Sequence, residues 1–267
     1  MASANTELRR RCLGQAKRIV IKVGSSLLAE SPIGQPAAIA DELARLDPSI
    51  ELIVVSSGAI ALGLPVMGIA QRPEQLPLLQ AAAAIGQSRL VQNWERAFGV
   101  HQRHIAQILL TGDGLNHPER FTNAQNALAA LLKARIIPIV NENDTVATTE
   151  ITFGDNDELA ALVCNLVSAD ALLIYTDVNG LHDADPAKGG KRIPIVTDIE
   201  TQARPFASSE SSSGLGQGGM VSKVISAERA AGFGVPTLIL PGRERNILSR
   251  ALACEDVGTL FVPKSRN

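Results

Sequence analysis

Aromatic residues are scarce in this chain. They make up 3% of it, with a single tryptophan and a single tyrosine. The core must therefore be built from Ala, Leu, Ile and Val, as in helix-covered parallel sheets. Cysteine is sparse as well: Cys12, Cys164 and Cys254 lie far apart, are odd in number and form no Cys-x-x-Cys pair. That pattern suggests neither a disulfide framework nor a zinc site. No apolar run is long enough to cross a bilayer. The polar start, basic at Arg9, Arg10 and Arg11, lacks the apolar stretch of a secretory signal. A soluble, cytoplasmic protein with no membrane partner is expected. An excess of positive charge is also missing. The net charge of −2 does not suit a dedicated nucleic-acid binder, although a locally basic pocket for an anion remains compatible with it.

Two common nucleotide signatures are absent or broken. No Gly-Lys-Ser or Gly-Lys-Thr occurs, which excludes a P-loop. Gly214-Leu215-Gly216-Gln217-Gly218-Gly219 matches G-x-G-x-x-G, but Ser211 to Ser213 precede it where a buried strand should stand. Ile239-Leu240-Pro241 occupies the place of the acidic residue that would read a ribose, so a dinucleotide fold is not indicated. His101, His104, His117 and His182 lack partners at metal-ligand spacing.

What the chain does have is a set of buried β-branched runs, each ending in small or polar residues. Arg18-Ile19-Val20-Ile21-Lys22-Val23-Gly24-Ser25-Ser26 is the clearest. Its apolar run does not alternate with polar residues, so it reads as a strand over 18–23 buried on both faces. A lysine at the end of such a strand is costly to desolvate unless an anion meets it. Gly24 would let the backbone turn tightly beside a ligand. Further strands are expected over 51–55, 105–110, 136–140, 171–175, 237–240 and 259–262, and helices over 36–46, 75–98, 118–134, 157–168 and 220–231. Leu79, Ala83, Gly86, Leu90, Trp94 and Phe98 form one apolar stripe on the long helix, which is core or a subunit interface.

Strands alternating with helices imply a three-layer αβα sandwich around a mainly parallel sheet. The expected organisation is a loosely held extension over 1–16 and one domain over 17–267, with residues 208–219 as a mobile loop. In such sheets ligands sit beyond the carboxyl ends of the strands. Lys22-Gly24, Ser57-Gly58, Thr111-Gly112, Asn141 to Asp144 and Thr176-Asp177 would share that edge. Lys223 stands one helical turn beyond Gly219, where glycine amides and a lysine at a helix N-terminus would make an anion site. Asp144, Asp155 and Asp157 are candidate orienting or metal-binding carboxylates, and Asp155 is a candidate N-cap.

Several of these stretches together resemble the amino-acid kinase family, in particular its glutamate 5-kinase branch. They are Ile21-Lys22-Val23-Gly24-Ser25-Ser26, Ser56-Ser57-Gly58-Ala59-Ile60, Gly86-Gln87-Ser88-Arg89-Leu90, Glu119-Arg120-Phe121 with Asn123, Asn141-Glu142-Asn143-Asp144, Gly154-Asp155-Asn156-Asp157 and Gly214 to Lys223. The resemblance runs from about residue 17 to 263. It implies a reaction in which ATP and L-glutamate give ADP and L-glutamyl 5-phosphate, the first step of proline synthesis, with Mg²⁺ held mainly by the ATP phosphates rather than by a protein metal site.

By that resemblance Lys22 would contact the transferring phosphoryl group, Lys223 would bind ATP, and Asp157 would orient the two lysines. Thr176 and Asp177 would line the nucleotide pocket. Gly24, Gln217, Gly218, Gly219, Met220 and Lys223 would stand over the phosphates. Ser57, Gly58, Asp144 and Asn156 would hold glutamate, with Asp144 facing its α-ammonium group. It further implies proline as feedback inhibitor, transfer of the acyl phosphate to the next enzyme of the pathway, and a homo-oligomer. The chain departs from the family pattern at Gln217, where threonine is usual, and at Val221-Ser222, which replaces two hydroxyl residues. It ends at Asn267, so the PUA domain found in many relatives is not expected. A relative acting on acetylglutamate or aspartate, or a non-catalytic nucleotide sensor of the same fold, are the competing readings.

Overall fold

The computed structural model describes residues 4–146, 156–207 and 219–263. In chain order the elements are α1 (Ala4–Leu13), β1 (Arg18–Val23), α2 (Ser25–Glu30), α3 (Gly34–Ala44), β2 (Glu51–Ser56), α4 (Ala59–Gly63), α5 (Leu76–Gly99), β3 (Ile105–Leu110), α6 (Gly112–Asn116) and α7 (Pro118–Lys133). There follow β4 (Ile137–Glu142), α8 (Asn156–Val167), β5 (Ala171–Thr176), β6 (Ile195–Val196), α9 (Ile199–Gln202), α10 (Arg204–Ala207), α11 (Met220–Gly232), β7 (Thr237–Pro241), α12 (Ile247–Leu252) and β8 (Thr259–Phe261).

The strands form one sheet in the order β3-β4-β2-β1-β5-β7-β8-β6. From β3 through β7 every pairing is parallel, and only β8 runs antiparallel to its neighbour β7. The expected rim therefore exists: Gly24, Ser57, Thr111, Asn141 and Thr176 all stand at carboxyl ends on one edge of the sheet. The central strands are sealed on both faces, as their unbroken apolar runs require. In β1, Ile19, Ile21 and Val23 enter a core shared with α3, α5 and α12, while Val20 enters a second core shared with α7, α8 and α11. Together with the helices on both faces this is the three-layer arrangement expected.

Side-chain alternation along the strands then decides which face each rim residue serves. Lys22 has the parity of Val20, so it points to the side of α8 and α11. Ser56 has the parity of Leu52 and Val54, and Asn141 that of Ile137 and Ile139, so both point to the side of α5.

Two close approaches fix α5 against α4. A Cβ at Gly86 would lie 1.7 Å from the carbonyl oxygen of Ala59, and one at Gly63 would lie 1.8 Å from that of Ala82. Only glycine admits this backbone contact. The stripe on α5 is core in this chain: Ala83, Gly86, Leu90, Trp94 and Phe98 are buried, and Leu79 partly so.

The expectation of a loosely held start is corrected. Residues 4–13 are helical, and Arg9 is fully buried. Its guanidinium donates to the carbonyls of Val257 (2.8 Å), Pro194 (3.0 Å) and Gly258 (3.3 Å) and to Asp256 Oδ1 (3.1 Å). Burial depresses its pKa, and the Asp256 carboxylate opposes that shift. A run of three arginines looks solvated in sequence, yet one of them supplies the fork of donors that several strand-end carbonyls need.

Candidate active site

The site is built where α8 and α11 meet the carboxyl end of β1. Asp157 lies in the first turn of α8, a position favourable to a carboxylate. Its side chain is fully buried. Oδ1 lies 2.6 Å from Nζ of Lys22 on β1, and Oδ2 lies 3.2 Å from Nζ of Lys223 on α11. One carboxylate thus holds two ammonium groups from opposite ends of the chain. Both lysines are nearly inaccessible, at 2% and 5% exposure. The anion demanded by a lysine at the end of a buried strand is, in the first instance, Asp157.

Hydroxyls of α11 secure the same residue. Ser222 Oγ lies 2.9 Å from Asp157 Oδ2 and 2.8 Å from the carbonyl of Gly219, and Ser226 Oγ donates to the backbone carbonyl of Asp157 at 2.5 Å. Ser222 and Ser226 are one helical turn apart, so a single face of α11 carries both. At the departure from the family pattern on this helix, the hydroxyl that remains in Val221-Ser222 faces both Asp157 Oδ2 and the Gly219 carbonyl. Val221 itself is exposed.

Asn156, the residue before Asp157, turns the other way. Its Nδ2 faces Asn141 Oδ1 (2.7 Å), Ser57 Oγ (2.9 Å) and the carbonyl of Ser56 (3.3 Å). Asn141 Nδ2 donates to Gln87 Oε1 at 2.8 Å, and Trp94 Nε1 donates to Ser56 Oγ at 2.8 Å. The Ser57-Gly58 turn that opens α4 needs glycine, because Gly58 sits at φ +104°. Asp144 follows on the same rim, two residues beyond the end of β4. Partial burial pushes its carboxyl up to about 6, against the opposing pull of the Arg72 charge.

On the other flank Thr176 is buried at the end of β5 and donates to Asp177 Oδ1 at 3.0 Å, and Asp177 is exposed. Gly24 does not make the tight turn expected of it. Its backbone is extended (φ −68°, ψ 151°), and its N–H donates to the carbonyl of Tyr175 at 3.2 Å. A Cβ at Gly24 would lie 3.4 Å from the carbonyl oxygen of Tyr175. Gly219 is the N-cap of α11, and a Cβ there would meet nothing within 4 Å among the described residues, whereas the side chain of Met220 is buried in the core beneath α11. Ser25 and Ser26 lie in the first turn of α2. Asp155, Gln217, Gly218 and nearly all of the serine- and glycine-rich stretch expected to be a loop lie outside the described residues.

Two cavities away from this rim do not compete with it. One of about 540 Å³, lined by Arg11, Asp170, Phe233 and Pro236 among others, opens at the amino ends of the strands. The other, of about 410 Å³, includes Glu42, whose carboxylate is occupied with the backbone N–H groups of Leu248 (2.6 Å) and Ser249 (3.3 Å) at the start of α12.

The arrangement has the parts of a phosphoryl-transfer site: two fixed cations on one side of α8's first turn and a polar amide and hydroxyl shelf on the other. Sequence reading named Lys22, Lys223, Asp157, Ser57 and Asn156, and these do converge. Gln87, Asn141 and Ser226 have no role in that reading, and Ser222 enters it only within the run 217–223 over the phosphates. Gln87 carried a signal, as a polar residue directly after the glycine that brings α5 onto α4.

Comparison with known proteins bears on the same stretch. A family model described as the amino acid kinase family matches residues 17–241. A glutamate 5-kinase of Geobacter sulfurreducens is 48% identical over 258 residues, covering 94% of this chain and 69% of the relative. One of Hydrogenovibrio crunogenus is 44% identical over 256 residues, covering 93% and 68%. Among solved structures, a UMP kinase from Bacillus anthracis superposes with a TM-score of 0.60 at 18% identity, covering 94% of this chain and 97% of the other. An isopentenyl phosphate kinase does so with a TM-score of 0.63 at 17% identity, covering 92% and 100%. At such identities the structural likeness speaks to the fold alone.

Proposed function

The chain belongs to the amino acid kinase family, and on that premise we propose how its site works. The enzyme phosphorylates the γ-carboxylate of L-glutamate with ATP, releasing ADP and L-glutamyl 5-phosphate. The relatives at 43–48% identity are glutamate 5-kinases, and the product is the acyl phosphate that starts proline synthesis. The observation that carries the reading of the site is the position of Asp157 between Lys22 and Lys223, at 2.6 and 3.2 Å.

The nucleophile needs no base. A glutamate side chain has a pKa near 4.3 and is already ionised at neutral pH. The difficulty is bringing that anion to a polyanion: two like charges about 4 Å apart repel by roughly 4 kcal/mol at an effective dielectric of 20. Lys22 and Lys223 offset the repulsion, and Asp157 holds both ammonium groups in place before substrate arrives. A γ-carboxylate oxygen forms the bond to the γ-phosphorus as the bond to the bridging oxygen breaks, and the electron pair leaves with ADP. Catalysis is then positioning plus electrostatics.

Ser57, Gly58, Asn156 and Asp144 take the amino acid, with Asp144 facing its α-ammonium group. Thr176, Asp177, Gln217, Gly218, Gly219 and the backbone N–H of Met220 serve the nucleotide, alongside Lys22 and Lys223. Mg²⁺ bound to the phosphates would neutralise part of their charge. In this reading the ion is held mainly by the ATP phosphates.

Proline as feedback inhibitor at the glutamate site, transfer of the acyl phosphate to a following enzyme, a homo-oligomeric state and a cytoplasmic location complete the proposal. No helix among the described residues is long and apolar enough to cross a membrane. Residues 17–267 form the kinase domain in this reading. The test is hydroxylamine trapping with MgATP. Glutamate should yield the hydroxamate, and acetylglutamate and aspartate should not. A hydroxamate formed only from either of the latter would overturn the substrate assignment.

A further inference from the structure

The amide of Gln87 ends a polar chain whose direction is fixed at its other end. The carbonyl of Ser56 can only accept, so the group of Asn156 that faces it at 3.3 Å must be the donor Nδ2. The same Nδ2 faces Asn141 at 2.7 Å, so Asn141 must turn its oxygen toward Asn156. Its own Nδ2 then turns to Gln87, at 2.8 Å, and Gln87 must present its oxygen. The cost of this polarity falls on Gln87, whose Nε2 is buried without a hydrogen-bond partner among the described residues. Flipping Asn156 would set its oxygen against two acceptors, and flipping Asn141 or Gln87 would set donor against donor.

The consequence reaches Ser57. Its Oγ accepts from Asn156 at 2.9 Å, which leaves its hydroxyl hydrogen available to donate to another group. The Ser56 carbonyl sets the sense of the chain, and Gln87 anchors its far end by accepting from Asn141. Gln87 follows Gly86, whose missing side chain lets α5 lie against α4, and α4 begins at the Ser57-Gly58 turn. Two helical turns further on, the same face of α5 presents Trp94, which donates to Ser56 Oγ.

We propose that Gln87 is a positioning residue for the amino-acid substrate. Acting through Asn141 and Asn156, it holds the Ser57 hydroxyl as a donor toward a carboxylate of the substrate. The inference rests on the reading of Ser57 and Asn156 as the glutamate shelf.

Two variants of nearly equal volume test it. Gln87→Met removes the acceptor that Asn141 needs, whereas Gln87→Glu keeps an acceptor oxygen toward Asn141 and exchanges the unpartnered donor for a charged carboxylate oxygen. The first should raise the glutamate KM about tenfold and leave the ATP KM unchanged. The second should keep both within about twofold of the parent. An unchanged glutamate KM in Gln87→Met, an equal rise in both variants, or a parallel loss of kcat and of affinity for both substrates would overturn the proposal. The parent enzyme is assayed for glutamate hydroxamate in the same series: an inactive parent would refute the substrate reading itself, whereas an active parent with an unaffected Met variant would refute only the role of Gln87.

Discussion

Nζ of Lys22 lies 2.6 Å from Oδ1 of Asp157, and both side chains are all but sealed from solvent, at 3% and 0% exposure. With Lys223 on the other oxygen, the trio carries more positive than negative charge within the protein. Removing one partner of such a buried pair costs about 3–5 kcal/mol, because the other charge is left uncompensated. Asp157→Asn should therefore lower the melting temperature markedly as well as abolish turnover. Thermal melts with and without MgATP check this. A variant that melts like the parent would mean that the ammonium groups are solvated, contrary to their burial.

A glutamate site that includes Asp144 would bind its substrate in a pH-dependent way. Partial burial holds the Asp144 carboxyl near 6, above the usual 3.8. If it faces the substrate ammonium, kcat/KM for glutamate falls as pH drops through about 6, and kcat at saturating glutamate falls only at lower pH, because the bound ammonium favours the ionised form. Asp144→Asn should remove that acid limb and raise the glutamate KM at pH 7.5. The same shift affects stability. Between pH 3.8 and about 6 the native protein binds the extra proton, so the stabilisation from this group is full below 3.8 and is lost as pH rises through 6.

The strands and their common rim were legible because a buried parallel strand writes itself as a β-branched run, and because Lys22 is anomalous inside one. Strand parity and face were not legible. That Ser56 and Asn141 point to α5 while Lys22 points to α8 follows only once the two helical layers are assigned, and the amide chain from Gln87 to Asn156 spans three elements that no local spacing connects. Arg9 was misread for a related reason: its partners are carbonyls at the far end of the sequence, invisible in a basic run. Asn156 and Asp157 are adjacent but face opposite halves of the site, which a motif shows only as two polar letters.

Gly86→Ala tests the close approach of α5 to α4. The new Cβ would lie 1.7 Å from the carbonyl oxygen of Ala59, a backbone atom that cannot swing away. Overpacking of this kind costs about 1–3 kcal/mol or more. The variant should melt several degrees lower and bind glutamate more weakly, since α4 begins at Ser57-Gly58. Differential scanning calorimetry paired with glutamate KM reads both effects, and a normal KM in a destabilised variant would separate α5 from the substrate shelf.

Trp94 is the only tryptophan in the chain, and its indole donates to Ser56 Oγ at 2.8 Å. Glutamate binding at Ser57 and Asn156 should change its emission saturably, at a concentration matching the glutamate KM, while ATP alone should change it little. A response to ATP and none to glutamate would place the amino acid elsewhere.

The most direct test of the central claim is hydroxamate formation from glutamate and MgATP by Lys22→Ala and Lys223→Ala, with glutamate binding followed through Trp94. Each substitution should lower turnover at least about a hundredfold, the scale of losing one group that stabilises the transition state, while leaving the glutamate titration intact. Near-parental hydroxamate formation by either variant would contradict a site in which these two ammonium groups hold the transferring phosphoryl.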